Sequence, residues 1–105
     1  MTQRSIVGGV LECEQIIYTD HAIERMFEWG LDKPDIRNIL VHGKVIEDYP
    51  EDIRGHSCLV FGYVTDEPIH ICVGLARGPG ICEVITVYRP DERWEADHTT
   101  RRKST

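Results

Sequence analysis

His21 and Arg25 are the residues whose types and spacing first indicate chemistry. An imidazole exchanges protons near neutral pH, and a guanidinium binds an anion such as phosphate with a planar fork of donors. The two residues are four apart, so on a helix they share a face. Together they are the smallest set of groups for cleaving a phosphodiester without a metal ion. The alternative is an exposed helix face on which Arg25 pairs with Glu24 or Glu28.

Further acid, base and phenol side chains lie in segments with the alternating pattern of strands. Glu47 and Tyr49 belong to an acidic cluster at a strand end. Three alternative roles are open for this cluster: it supplies a general base, it binds a cation, or it keeps a turn soluble. His70 lies on the polar side of a strand, where the alternative is a structural role. Tyr88 and Arg89 end the last strand, and either contact phosphate or a nucleobase or stabilise the turn.

The histidines and cysteines lack the local spacing of a metal site. No His-x-x-x-His or Cys-x-x-Cys pattern occurs, and no glycine-rich phosphate loop is present. The sequence therefore predicts neither a metal nor another cofactor. We expect the four cysteines to be reduced, small and buried, with a zinc site or disulfides as the alternatives; they are Cys13, Cys58, Cys72 and Cys82.

Length and composition predict one compact domain. The 105 residues are 41% hydrophobic, enough for a single core. We assign residues 1–105 to this domain, with a compact core at 14–94, a polar tail at 95–105 and Trp94 as the anchor of the last turn. The net charge of −6 argues against a protein that coats nucleic acid by charge alone. No long apolar run occurs, so we expect a cytoplasmic protein without a membrane span.

Two short helices are predicted near the N-terminus. The first follows an N-cap at Thr19 or Asp20 and ends at Gly30. The second has Pro34 in its first turn and ends at Gly43. Neither is long enough to be stable alone, so both must pack on the rest of the chain. We expect the first helix to dock on the sheet through an apolar arc made of Ala22, Ile23, Met26, Phe27 and Trp29.

A change of period from 3.6 to 2 indicates strands after the helices. Four are predicted, at residues 44–49, 57–64, 69–75 and 81–88, whereas residues 15–18 are a short strand or an extended arm. Short turns imply an antiparallel order, because parallel neighbours need a long crossover. The predicted fold class is α+β, with two N-terminal helices packed on a four-stranded, mainly antiparallel sheet. Two helices cover only one face, so a functional groove is expected on the other.

Five blocks of sequence, in order, resemble the small bacterial proteins grouped as domain of unknown function 4258. The blocks are HAIERM, GKVIEDYPED, SCLVFG, PIHICVGL and VITVYRPD, and the likeness spans roughly residues 16–94. The resemblance implies a RelE-like or barnase-like fold, the metal-independent RNA cleavage of RelE-type and MqsR-type toxins, and a small zinc-finger antitoxin as partner. The residues that match the family's motifs are His21 and Arg25 on the helix, and Glu47, Tyr49, His70 and Tyr88 on the strands.

Our leading hypothesis is a metal-independent, endoribonuclease-like toxin of a toxin–antitoxin pair. In it His21 or Glu47 moves protons, Arg25 holds the phosphate, and Tyr88 and Arg89 position the RNA strand. The alternative is a non-catalytic module that binds a protein partner through its open sheet face or an edge strand. The acidic net charge favours the alternative. The sequence does not predict the oligomeric state.

Overall fold

The computed structural model describes residues 5–102 of the chain, so residues 1–4 and the last three residues of the predicted tail lie outside it. Two helices and five strands follow one another in the order β1 (Gln15–Tyr18), α1 (Asp20–Trp29), α2 (Lys33–His42), β2 (Lys44–Tyr49), β3 (Ser57–Val64), β4 (Glu67–Gly74) and β5 (Ile81–Tyr88). The α+β class is as predicted. Within residues 5–102 no helix is both long and apolar enough to cross a membrane.

Helix α1 begins and ends at the residues that its sequence indicates. The Thr19 hydroxyl accepts a hydrogen bond from the Ala22 N–H at 3.0 Å, which satisfies a free donor of the first turn. The helix ends at Gly30, whose φ of 68° is a left-handed conformation that glycine adopts without a steric penalty. The Thr19 hydroxyl also donates to the Ile85 carbonyl at 2.9 Å, so the start of α1 is fixed to the edge of β5.

Helix α2 carries the stronger start signal. Asp32 and Asp35 form a capping box, in which each side chain accepts from the other residue's backbone N–H at 3.0 Å. Pro34 lies in the first turn, where its missing N–H costs no hydrogen bond. The predicted apolar stripe is buried against the sheet and consists of Ile36, Ile39 and Leu40.

The sheet has five strands rather than the predicted four, and it is mixed rather than antiparallel throughout. The strand order is β1-β5-β4-β3-β2; β2 to β5 form an antiparallel meander, and β1 pairs with β5 in parallel. Turn lengths do not indicate this pair, because β1 and β5 are the first and last strands and nearly the whole domain forms the crossover between them. The ambiguous segment at residues 15–18 is thus an edge strand.

The hydrophobic core lies between the helices and one face of the sheet, and the predicted arc of α1 enters it only in part. Ala22 and Met26 are buried, but Ile23 is 42% and Phe27 88% exposed. The helix starts at the edge of β5, so only one narrow side of it contacts the sheet. The expected docking arc was therefore too wide. The core itself consists of Ala22, Met26, Ile36, Ile39, Leu40, Val45, Cys58, Val60, Ile69, Ile71, Val73, Cys82, Val84 and Val87.

Residues 91–102, here called the strap, lie across the other face of the sheet. The strap is a small loop closed by backbone hydrogen bonds from Glu95 to Thr100 and from Arg102 to Arg93, each 2.7 Å long. Its Trp94 is 3% exposed and therefore anchors the segment, as predicted. The expected polar tail thus folds back on the sheet through residue 102.

Two of the four cysteines form a disulfide, which corrects the expectation that all four are reduced. Cys13 and Cys82 are bonded, with their Cα atoms 5.5 Å apart. The parallel pairing of β1 with β5, in which Gln15 lies opposite Ile81, brings the two thiols together. The thiols of Cys58, which is buried, and Cys72, which is half-buried, remain free.

We predict that the Cys13–Cys82 bond contributes substantially to stability. The bonded residues are 69 positions apart, and closing a loop of this size in the unfolded chain is worth about 4 kcal/mol in the chain-entropy model. Cys13→Ser should therefore lower the free energy of unfolding by about 2–4 kcal/mol in a urea titration. A thiol reductant should destabilise the wild type to the same extent and leave the variant unchanged. Equal unfolding of the wild type with and without reductant would contradict the prediction.

Candidate functional site

Four of the predicted site residues share the face of the sheet that lies under the strap. Alternation along β4 directs Ile69 and Ile71 into the core and His70 to the opposite face. Tyr88 on β5 and Phe61 on β3 are the direct cross-strand neighbours of His70, so their side chains lie on the same face.

A β-bulge turns the functional end of β2 to this face. Val45 pairs with Val60 and is buried in the core, whereas Glu47 pairs with Leu59 after a register shift between Val45 and Glu47. In a regular strand, residues 45, 47 and 49 would face the same way. The extra residue at the bulge therefore directs Glu47 and Tyr49 away from the core.

A second bulge does the same for β5. Val84 pairs with Val73 in the core, but Thr86 pairs with Cys72 and Tyr88 with His70 after the shift. A regular strand would bury residues 84, 86 and 88 on one side. The bulge instead leaves Val87 in the core and places Tyr88 beside His70.

Glu47 is held by two donors. Arg101 of the strap binds both carboxylate oxygens, with Nε–Oε2 at 2.9 Å and Nη2–Oε1 at 3.2 Å, and the Tyr49 hydroxyl donates to Oε1. Burial raises the pKa of Glu47, but the hydrogen bonds from Arg101 and Tyr49 and the charge of Arg101 outweigh it and bring the pKa below its usual value. Glu47 is therefore a carboxylate at neutral pH. We name Glu47, Tyr49, His70, Tyr88 and Arg101 the polar cluster.

Tyr49 remains a hydrogen-bond donor over the whole physiological pH range. Burial and the hydrogen bond to the Glu47 carboxylate raise the pKa of Tyr49 to about 12. Burial likewise raises the pKa of Tyr88. Both phenols therefore carry their protons at neutral pH.

His70 is fully buried and is neutral at neutral pH. Its Nε2 lies 2.6 Å from the carbonyl oxygen of His98, which only accepts, so Nε2 carries the proton and Nδ1 accepts from the Tyr88 hydroxyl at 3.3 Å. Burial lowers the pKa of His70, which outweighs the opposite effect of the hydrogen bond to His98. The imidazole is thus a base with a lone pair directed at a phenol.

Aromatic rings surround His70. The Trp94 ring lies edge-on to it with 4.4 Å between ring centroids, and the rings of Tyr88 and Phe61 lie 5.3 Å and 5.7 Å away. The Arg101 guanidinium lies 4.7 Å from the centre of the Trp94 ring. Phe61 and Tyr88 thus flank His70 on the sheet, and the Trp94 ring lies over His70. We name Phe61, His70 and Tyr88 the ring pocket.

The other predicted site residues are not part of the polar cluster. The His21 Nε2 lies 3.0 Å from the Thr86 hydroxyl, at the margin of the same face. Arg25 forms an ion pair with Glu28 at 2.6 Å, which is the alternative that the sequence offered.

Arg89 also lies outside the polar cluster. It forms an ion pair with Glu67, and its guanidinium lies 5.7 Å from the centre of the Trp29 ring of α1. The structure therefore joins Glu47, Tyr49, His70 and Tyr88, leaves His21 at the margin, and places Arg25 and Arg89 elsewhere.

Sequence reasoning missed Arg101, the cation of the polar cluster. The basic end of the chain is typical of a solvated terminus, and nothing in its local pattern indicates a partner. The available signal was Trp94, because a large apolar residue near a polar terminus indicates that the chain returns to the domain.

A cleft of about 440 Å³ opens at the other end of the same face, but its charged groups are already paired. Arg54 binds Asp52 at 3.3 Å, and Arg77 binds Glu83 at 3.0 Å. These guanidinium groups are therefore committed to carboxylates within the chain. Nowhere in residues 5–102 do three or more metal-ligating side chains converge.

We predict that His70 makes stability depend on pH. Burial lowers its pKa below 6.5, so the unfolded chain binds this proton more readily than the folded protein. The contribution of neutral His70 to the free energy of unfolding is complete above about pH 6.5, the pKa of the unfolded chain. It is lost as the pH falls through the lower pKa of His70 in the folded protein. His70→Gln should therefore flatten the fall in urea midpoint between about pH 7 and pH 5. The exposed His42→Gln is the control, and equal pH slopes for the wild type and both variants would refute the assignment.

Comparison with known proteins gives a family match that covers the strand residues of the polar cluster. Residues 18–89, more than half of the chain, match the family described as Domain of unknown function (DUF4258). The match includes Glu47, Tyr49, His70 and Tyr88 and ends before the strap. Searches of curated proteins and of solved structures gave no match. The chain therefore belongs to the DUF4258 family.

Proposed function

We propose that the polar cluster is the active site of a metal-independent, ribonuclease-like toxin with the RelE-like or barnase-like architecture that acts in the cytoplasm. The observation that carries the proposal is the meeting of a carboxylate, an imidazole, two phenols and a guanidinium on one sheet face. These groups supply a base, an acid and charge-stabilising donors, which is the set that RNA cleavage requires in the absence of a metal ion.

In the proposed reaction the Glu47 carboxylate accepts the proton of a ribose 2′-hydroxyl. The 2′-oxygen then bonds to phosphorus, and the bond from phosphorus to the 5′-oxygen breaks. His70 is neutral in the free protein, so it first takes a proton from water, which the negative charge of the nearby phosphate favours; the resulting imidazolium gives that proton to the leaving 5′-oxygen. The products are a 2′,3′-cyclic phosphate and a free 5′-hydroxyl. Tyr49 and Tyr88 donate to the phosphate oxygens, because both phenols keep their protons at neutral pH.

Arg101 fits the role that the sequence hypothesis assigned to Arg25. A guanidinium fork binds carboxylate and phosphate with the same two-pronged geometry, so an incoming phosphate competes with Glu47 for Arg101. Transfer of the fork to phosphate releases Glu47 from the contact that holds its pKa down, and so makes the carboxylate a better base.

We predict that Glu47→Gln and His70→Gln each slow the cleavage of single-stranded RNA by about 10²–10⁴-fold, because each removes one proton-transfer group. The measurement is gel analysis of an end-labelled RNA in a buffer with a metal chelator. Arg93→Gln is the matched control, since Arg93 lies in the strap and its guanidinium pairs with the neighbouring Asp91. Undiminished cleavage by both cluster variants would refute the assignment.

The second candidate function is a protein-binding module, and the exposed side of α1 favours it. Ile23 and Phe27 lie one turn apart with exposed fractions of 42% and 88%, and the exposed carboxylates of Asp20 and Glu24 lie on the same helix. Apolar side chains next to acidic ones suit a partner with apolar and basic side chains. The zinc-finger antitoxin that the resemblance implies is one candidate for this partner.

A growth assay separates the two functions. If the protein is a toxic ribonuclease, Glu47→Gln should abolish growth inhibition on expression, and Phe27→Ser should retain it, because Phe27 is remote from proton transfer. If it acts by binding a partner, Phe27→Ser should abolish inhibition and Glu47→Gln should retain it, because loss of the Phe27 ring removes exposed apolar contact area. Immunoblots should show equal amounts of both variants.

A further inference from the structure

Within residues 5–102, the side-chain contacts of the strap with the sheet fall on the polar cluster and its ring pocket. The Trp94 ring lies edge-on to His70, and the His98 carbonyl accepts from His70 Nε2. The His98 ring lies 6.1 Å from the Phe61 ring, and Arg101 binds Glu47. A segment that only covered apolar surface would not need to satisfy both His70 and Glu47. The strap therefore occupies the same groups to which the proposed function assigns proton transfer.

The strap contacts its neighbours as a ligand would. Its Trp94 ring lies edge-on to the His70 imidazole, which the rings of Phe61 and Tyr88 flank. Clusters of aromatic side chains of this kind are surfaces on which proteins hold an unstacked nucleobase. Beside the Trp94 ring, the Arg101 guanidinium binds the Glu47 carboxylate. The strap also lies beyond residues 18–89, so the match to the family ends before the segment that closes the face.

The strap is held together by hydrogen bonds between its own residues. Its internal hydrogen bonds join Glu95 to Thr100 and Arg93 to Arg102, and the Asp97 side chain accepts from the Thr99 and Thr100 N–H groups at 2.9 Å and 3.1 Å. These contacts do not involve the sheet, so they persist when the strap moves away. The five-strand pairing does not include the strap.

We propose that the ring pocket is a nucleobase subsite and that the strap closes it with Trp94, so that single-stranded RNA binds by displacing the strap. This inference rests on the proposed function, because it names the ligand of the same face. Displacement uncovers Glu47 and His70 together. It also frees the Arg101 guanidinium to contact the RNA backbone.

Strap opening is measured by the fluorescence of Trp94 in a Trp29→Phe background, in which Trp94 is the sole tryptophan. Acrylamide quenching should be weak, because Trp94 is 3% exposed. Arg101→Gln removes the tie to Glu47 and should raise the open fraction about twofold to tenfold. Arg93→Gln removes the same charge from the strap without breaking a tie, and should leave quenching unchanged. Far-UV circular dichroism must show the folded protein in each case.

Ligand binding is measured with a labelled 2′-O-methyl hexanucleotide, which cannot be cleaved because it has no free 2′-hydroxyl. The oligonucleotide should increase Trp94 quenching to a saturating value. In the otherwise wild-type chain, Trp94→Ala vacates the ring pocket and should tighten binding about twofold to tenfold, as measured by fluorescence anisotropy. The variant's urea unfolding reports whether its sheet is intact, and Arg101→Gln tests the same opening with Trp94 present.

The outcomes separate this inference from the proposed function. Binding that displaces Trp94, without cleavage of ordinary RNA, supports the subsite and refutes the catalytic proposal. Cleavage with Trp94 still protected from acrylamide overturns the strap as the closing element. Equal or weaker oligonucleotide binding by folded Trp94→Ala, together with unchanged quenching in Arg101→Gln, overturns the inference whatever the cleavage assay gives.

Discussion

The polar cluster depends on two β-bulges, because each moves the side chains at the end of a strand from the core face of the sheet to the opposite face. Without the shift after Val45, Glu47 would face the apolar core, and without the shift after Val84, so would Tyr88. A carboxylate in that core would have neither Arg101 nor Tyr49 as a partner, and burying an unpaired charge is costly. The bulges thus separate one sheet into two surfaces with different tasks. The helix side stabilises the fold by apolar burial, and the strap side gathers polar groups from β2, β4 and β5.

The strap contributes to the pKa shifts of two groups on this polar surface, Glu47 and His70. Its Arg101 contributes to the lowered pKa of Glu47, and its cover contributes to the burial that lowers the pKa of His70. Both shifts act against the proposed chemistry. The lowered pKa of Glu47 makes it a weaker base, and the lowered pKa of His70 leaves a neutral imidazole, whose N–H is too weak an acid to protonate a leaving oxygen. Closed, the face is therefore stable and satisfied in its hydrogen bonds: within residues 5–102 no buried side-chain polar atom lacks a partner. The same contacts that complete the fold hold the proposed acid and base in their unreactive forms.

The sequence predicted the parts of the fold that local rules determine. Thr19, Gly30 and the Asp32 box mark helix ends because capping acts within a few residues, and the alternation along β4 placed His70 opposite the core. The sequence did not predict the features that depend on contacts between residues far apart in the chain. The parallel β1–β5 pair and the Cys13–Cys82 bond depend on residues about 69 positions apart, and spacing within a segment contains no information about them. The bulges are a third kind of failure, since strict alternation assigns Glu47 to the same side as Val45.

The sequence indicated Arg25 as the cation of the site, whereas the polar cluster contains Arg101. This difference also follows from the contrast between local and distant contacts. Arg25 was predicted as a site residue because it is four residues from His21. On the exposed face of the helix, however, it forms an ion pair with the nearby Glu28. Arg101 has Asp97 four residues before it, but the Asp97 side chain accepts from Thr99 and Thr100. Arg101 instead binds Glu47, which is 54 residues away. A cation that finds its carboxylate across the fold must be delivered by an anchored segment, and Trp94 provides that anchor by burying its ring on His70. In this chain the informative residue of the basic C-terminal segment was thus its tryptophan, because burial of the ring determines where the charge arrives.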